Sequence, residues 1–199
     1  MTTTTQLQKL SKACLLSALL AATPPAAIAG PLADAAARAE EKAKSGDPNG
    51  GYAEMRDAFA NFSVTLPFAV GKALFVADKP VAYGAYTPRK DSVFRQGEPL
   101  VTYVELIGLA WKSLGDGKQQ ANFSVDLELA DAKGDTLAKQ PGFGNFTFTG
   151  YVRNQEIFTH LTLDVNGAKS GEYLLRYTVN DVVGKRSTSF EQKFTVAGD

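Results

Sequence analysis

The chain has 199 residues with 21 basic and 21 acidic side chains, one histidine and one cysteine. That balance leaves no basic footprint for nucleic acid, and one His with one Cys cannot furnish a zinc ligand set. No motif calls for a cofactor, so none is expected.

Residues 1–29 carry an export pattern. Thr2 to Lys12 is polar, with Lys9 and Lys12 and no acidic residue, and Ala13 to Ala22 is apolar. Thr23, Pro24 and Pro25 break the run, and Ala27-Ile28-Ala29 supplies the small residues a signal peptidase accepts. A cleaved signal peptide is therefore expected over 1–29, giving a periplasmic or extracellular protein. The apolar run is about half the length needed to cross a bilayer. Cys14 precedes the apolar core instead of ending it, which argues against a lipoprotein, and its removal leaves a domain without a disulfide. Cleavage leaves 19 basic and 21 acidic side chains on 170 residues. That length suits one domain burying roughly two thirds of its unfolded surface.

Residues 30–66 read as a helical segment and linker. Pro31 to Lys44 is rich in Ala, Glu and Lys, good helix formers with almost nothing large to bury. A solvated helix or semi-rigid spacer is expected there, ended by "SGDPNGG" at 45–51. A second helix is predicted from Tyr52 to Phe62. Its Tyr52, Met55, Phe59 and Phe62 are spaced three, four and three apart and form one apolar stripe. The stripe either packs on the domain behind it or docks a partner, and Pro67 bars further helix.

Residues 67–199 read as strands. "KALFVAD", "VAYGAYTPR" and "LVTYVELI" are short runs of apolar, aromatic and β-branched residues. Phe123, Val125, Leu127 and Leu129 alternate with polar residues, as do Phe146 and Phe148, and Ile157, Leu161, Leu163 and Val165 share a parity. "GEYLLRYTVND" at 171–181 alternates in the same way, and "SFEQKFTV" closes the series. Gly- and Asp-containing turns separate these runs. Seven to eight short strands at this spacing predict a mainly β, antiparallel two-sheet sandwich preceded by the N-terminal helical segment.

The order Gly171-Glu172-Tyr173-Leu174-Leu175 resembles the penultimate strand of bacterial immunoglobulin-like domains. The resemblance implies that Tyr173 turns its hydroxyl back onto upstream backbone, and that Leu175 stands where the family has its second cysteine. "VNDVVGK" and "TSFEQKFTV" resemble the last hairpin and last strand of such domains. The longer pattern "YTPR…F..GEPL..YVE", followed by "GDG", resembles a group of uncharacterised exported bacterial proteins and brings no activity with it.

Candidates for chemistry are few. No G-x-S-x-G elbow accompanies His160, whose parity places it on the outer face of its strand. Asp116, Asp131 and Asp135 sit where tight turns need Asp and Gly. Glu98, Glu105 and Glu156 are the carboxylates that could pair for acid–base work. Exposed aromatics offer the better opening: Tyr83, Tyr86, Trp111 and Tyr151 fall near strand ends or loops, where rings stack on sugars or anchor partners. Trp111, straight after "LIGLA", equally suits the end of a core strand.

These residues point to an exported, non-catalytic binding or structural module of the periplasm or cell envelope, with a protein partner on the 52–62 stripe or a sheet edge. The alternative is a carbohydrate-binding module using the exposed aromatics, with a glycan as ligand.

Overall fold

The computed structural model describes residues 30–198; the expected signal peptide and Cys14 lie outside them. The chain is mainly β, with two helices first and antiparallel sheets behind.

Helix α1 spans Pro31–Lys44 and α2 spans Pro48–Ser63. The second helix starts a turn earlier than its apolar stripe predicts, because "DPNG" begins it. Asp47 caps the helix by accepting from the Gly50 amide at 2.9 Å, and Pro48 takes the first helical position, where no amide is needed. Helix α1 is not a free spacer. Its Ala35 and Ala39 are buried, and at Gly51 a β-carbon would come within 2.8 Å of the Ala39 carbonyl oxygen. Small residues let the two backbones approach, so a helix without large side chains still finds a partner.

Among the described residues nine strands follow. They are β1 (Ala69–Val76), β2 (Val93–Phe94), β3 (Pro99–Ile107), β4 (Lys112–Gly115), β5 (Lys118–Asp131), β6 (Thr136–Gly150), β7 (Ile157–Asp164), β8 (Gly171–Asp181) and β9 (Arg186–Val196). One sheet has the order β1-β3-β7. The other runs β2-β9-β8-β5, with β6 along the far edge of β5 and β4 paired to the start of β5. All pairings are antiparallel except β2 with β9, where Val93 and Phe94 lie parallel to Thr195 and Val196.

The predicted strand at "VAYGAYTPR" does not form as such. Pro80, the left-handed Gly84 (φ 72°) and Pro88 prevent a continuous ladder. Only two isolated bridges occur, Val76–Pro88 and Ala82–Ala85.

The two sheets share one core. Phe75, Leu100, Val104, Leu106, Ile157 and Leu161 from the small sheet meet Phe123, Val125, Leu127, Leu175, Tyr177, Val179, Phe194 and Val196 from the large one. Phe75, Phe94 and Phe194 pack edge to face, with centroids 5.1 and 6.1 Å apart. Each such side chain contributes about 1.5–3 kcal/mol by leaving water. Between the layers, the Thr102 hydroxyl donates to Gln192 Oε1 at 2.8 Å. Tyr173 donates its hydroxyl to the Lys169 carbonyl at 2.7 Å, and Leu175 is fully buried.

Two polar devices hold the loops. Asp181, fully buried, accepts from the amides of Gly184 and Ala110 at 2.8 and 3.1 Å and from Arg186 Nη2 at 2.9 Å. The same guanidinium donates to the carbonyls of Gly108 (2.6 Å) and Leu66 (3.4 Å). This clasp joins the β8–β9 turn, the β3–β4 loop and the segment leaving α2. On the outer face of the large sheet, Glu128 accepts from Thr136 (2.7 Å), Lys139 (3.1 Å) and Arg176 (2.9 Å). The Thr136 hydroxyl, then Lys139 and Arg176, hold its carboxyl down to about 2.

Candidate functional site

The helical hairpin presents the stripe. Besides the close approach at Gly51, it is tied by Glu54. One carboxylate oxygen accepts from Arg38 at 2.7–2.8 Å and the other from Lys42 at 3.0 Å. Those hydrogen bonds, Lys42 first and then Arg38, hold the Glu54 carboxyl below its ordinary value. Arg153, in the loop before β7, donates to Asn61 Oδ1 at 2.7 Å and anchors α2 to the sheets.

The stripe itself does not pack on the domain behind it. Tyr52 is 71% exposed, Met55 38%, Phe59 51% and Phe62 39%. The small-residue side of α2 takes the contact with α1, through Gly51 against Ala39, so the large side chains are left over. Between the two helices runs a groove of about 770 Å³, lined by Leu32, Ala35, Ala58 and Phe62 with Arg38 and Asp57. Four large apolar side chains on one short helix are thus left unburied on a braced hairpin, a larger apolar patch than single scattered surface residues make.

Tyr83 and Tyr86 belong to a second feature that sequence reasoning did not assemble. The segment between β1 and β2 folds over the outer face of the small sheet, where Val76, Val101 and Tyr103 form a separate buried cluster with Leu74, Tyr86 and Phe158 against it. Tyr103 accepts from the Gly84 amide at 2.8 Å and donates to Glu105 Oε1 at 2.9 Å. Tyr83 reaches Glu105 Oε2 at 3.3 Å, and Lys72 donates to the Tyr86 hydroxyl at 3.0 Å. Burial is the first cause that pushes the Tyr103 hydroxyl up to about 12, with the Glu105 hydrogen bond adding to it. Tyr83 is raised for the same leading reason, while Lys72 is raised by its hydrogen bond to Tyr86 and then by Glu105. The tyrosines therefore spend their hydroxyls holding a loop to a sheet. Lys72, Tyr103 and Glu105 alternate along neighbouring strands, and that shared outer face was the available signal.

The remaining rings lie elsewhere. Trp111 is half-buried against the main core. Tyr151 is 72% exposed and lies at the β4–β5 turn, where a β-carbon on Gly117 would meet its ring at 3.8 Å. The four aromatics do not share one platform.

Of the three candidate carboxylates, Glu98 and Glu105 have structural partners, while among the described residues Glu156 engages only its backbone amide, with Asn154. Glu98 accepts from Arg89 and from the Arg95 amide, and Glu105 is taken up by the tyrosines. Asp131 accepts from the amides of Lys133 and Asp135, both at 2.9 Å, as hairpin-turn chemistry requires. His160 is half-buried opposite Tyr103, and burial, then Lys79, holds its imidazole below the ordinary value. Among the described residues no group of three or more His, Cys, Asp or Glu could hold a metal ion, and no helix is long and apolar enough to cross a membrane.

Comparison with known proteins yields no matching family model and no matching curated protein. Among solved structures, a family 123 glycoside hydrolase from Clostridium perfringens is 11% identical over 66% of this chain, with a TM-score of 0.40. An alkylpurine DNA glycosylase from Pseudomonas fluorescens is 10% identical over 72% of this chain, with a TM-score of 0.33. The chain spans 27% and 34% of those proteins' own lengths. At such scores neither likeness carries an argument about what this chain does.

Proposed function

We propose that the chain is an exported, non-catalytic binding module of the periplasm or cell envelope, in which an immunoglobulin-like sandwich carries a helical hairpin that docks a protein partner. The observation that carries this reading is the exposed stripe of Tyr52, Met55, Phe59 and Phe62 on a helix already braced from the other side. A side chain the size of phenylalanine contributes about 1.5–3 kcal/mol when buried, so four together can anchor an interface.

Three features support the immunoglobulin-like assignment. The strand order β1-β3-β7 faces β9-β8-β5, as strands A-B-E face G-F-C in that family. Next, β2 runs parallel to the last strand. Finally, the Tyr173 hydroxyl turns back onto the Lys169 carbonyl, with Leu175 two residues on where the family has cysteine. The non-catalytic reading rests on Glu98, Glu105, Tyr83, Tyr86 and Tyr103 being engaged in loop and sheet contacts.

The test is site-specific photocrosslinking in intact cells with the reactive group at Tyr52. A discrete crosslinked protein is expected, and the double substitution Met55→Asp, Phe59→Asp should abolish it with the melting temperature unchanged. Crosslinks that survive the double substitution would show that the stripe is not the docking surface.

A further inference from the structure

We infer that the occupant of the stripe is a second copy of the same helix, running antiparallel across a two-fold axis. This rests on the protein-docking reading above and names the partner.

The first argument is symmetry. The spacing of Tyr52, Met55, Phe59 and Phe62 is three, four, three, which reads the same in both directions. An antiparallel copy therefore sets Tyr52 level with Phe62 of the second chain, and Met55 level with its Phe59. All four side chains then fall on the seam in two repeated layers, the alternate packing of an antiparallel coiled coil. A two-fold interface requires this kind of self-complementary patch.

The second argument is charge. Arg56 flanks the stripe and pairs with Asp57 of its own chain at 3.3 Å. In the antiparallel register Arg56 comes level with Ala58 of the second copy, and Asp57, which comes level with its own counterpart, lies on the helix face opposite the stripe. Parallel pairing would instead set the two Arg56 side chains level.

The third argument is room and area. Ser63 ends α2 five residues before β1 begins at Ala69, so the sandwich lies at one end of the helix. Antiparallel pairing carries the two sandwiches to opposite ends, and of the four stripe residues Phe62 alone also lines the groove toward α1. Taking about 150–250 Å² per large aromatic, the exposed fractions leave roughly 400 Å² of apolar side chain per chain to cover. Twice that falls in the range of weak, reversible interfaces of under about 1,200 Å². The pair is expected to be concentration-dependent.

The experiment uses the whole chain. Sedimentation of the unsubstituted protein should show twofold mass at high concentration falling to monomer on dilution, and Phe59→Asp should remain monomeric throughout. In a Cys14→Ser background, chains bearing Met55→Cys and Phe59→Cys are mixed in equal amounts and mildly oxidised. The mixed disulfide should dominate over both like pairs, with far-ultraviolet spectra unchanged. Like pairs as abundant as mixed ones would overturn the antiparallel register. A monomeric mass at every concentration would overturn self-pairing altogether. If a monomer of that kind still gave the stripe-dependent crosslink to another envelope protein, the docking reading would stand and only the identity of the occupant would fall.

Discussion

The hairpin and the sheets use their large apolar side chains in opposite ways. In the sheets, Phe123, Leu175, Tyr177 and Phe194 of the large sheet are at most 2% exposed and share one core with Leu100, Val104 and Leu161 of the small one. In the hairpin the interior is made of Gly51, Ala35 and Ala39, while Tyr52, Met55, Phe59 and Phe62 face outward. Both regions are amphipathic by sequence. One satisfies its pattern within the chain and the other leaves it unsatisfied.

The contrast can be broken most forcefully at the clasp. Asp181→Ala strands the guanidinium of Arg186 and leaves the amides of Ala110 and Gly184 without their acceptor. The carboxylate is fully buried, but the guanidinium is a third exposed and keeps two carbonyl acceptors. A loss of about 3 kcal/mol, the low end for breaking a buried pair, is therefore expected in urea unfolding. A loss below about 1 kcal/mol would mean that water replaces the carboxylate at little cost. Next in size, Tyr173→Phe deletes one hydrogen bond to the Lys169 carbonyl and keeps the ring on Phe194. About 1 kcal/mol is expected by the same measurement.

Glu128 gives a pH-dependent effect. Its carboxyl titrates at about 2 in the fold against 4.5 as the ordinary value. The unfolded chain therefore takes up that proton first as the solution is acidified. The stability it contributes is present above about pH 4.5 and lost as the pH falls toward 2. Glu128→Gln should flatten the fall of melting temperature across that window, and a profile that keeps its slope would assign the acid sensitivity elsewhere. The smallest effect belongs to the stripe: Phe59→Ser should change stability by less than about 0.5 kcal/mol, as for an exposed position. A loss near 2 kcal/mol would place Phe59 in a core and erase the contrast between the two regions.

Much of the antiparallel sheet structure is legible in the alternation of β5, β7, β8 and β9, because each has one buried and one wet face. The segment at 81–89 is misread as a strand because its aromatic content is strand-like. Gly84 and two prolines decide its path, and its side chains are claimed by Lys72, Tyr103 and Glu105 from other strands. The apolar stripe of α2 is legible, but its exposure is not. Periodicity marks an apolar face without saying what covers it, and the covering helix packs through Gly51, a residue that reads as linker. The Asp181 clasp is out of reach for another reason. Its Ala110 and Leu66 partners lie far away in sequence, and a turn aspartate followed by a basic residue is common.

That clasp also fixes a clock. The Ala110 amide shares its acceptor, Asp181, with the guanidinium that bonds the Gly108 and Leu66 carbonyls. Deuterium uptake at this one amide is therefore expected to report local opening of that joint ahead of any unfolding of the sheets.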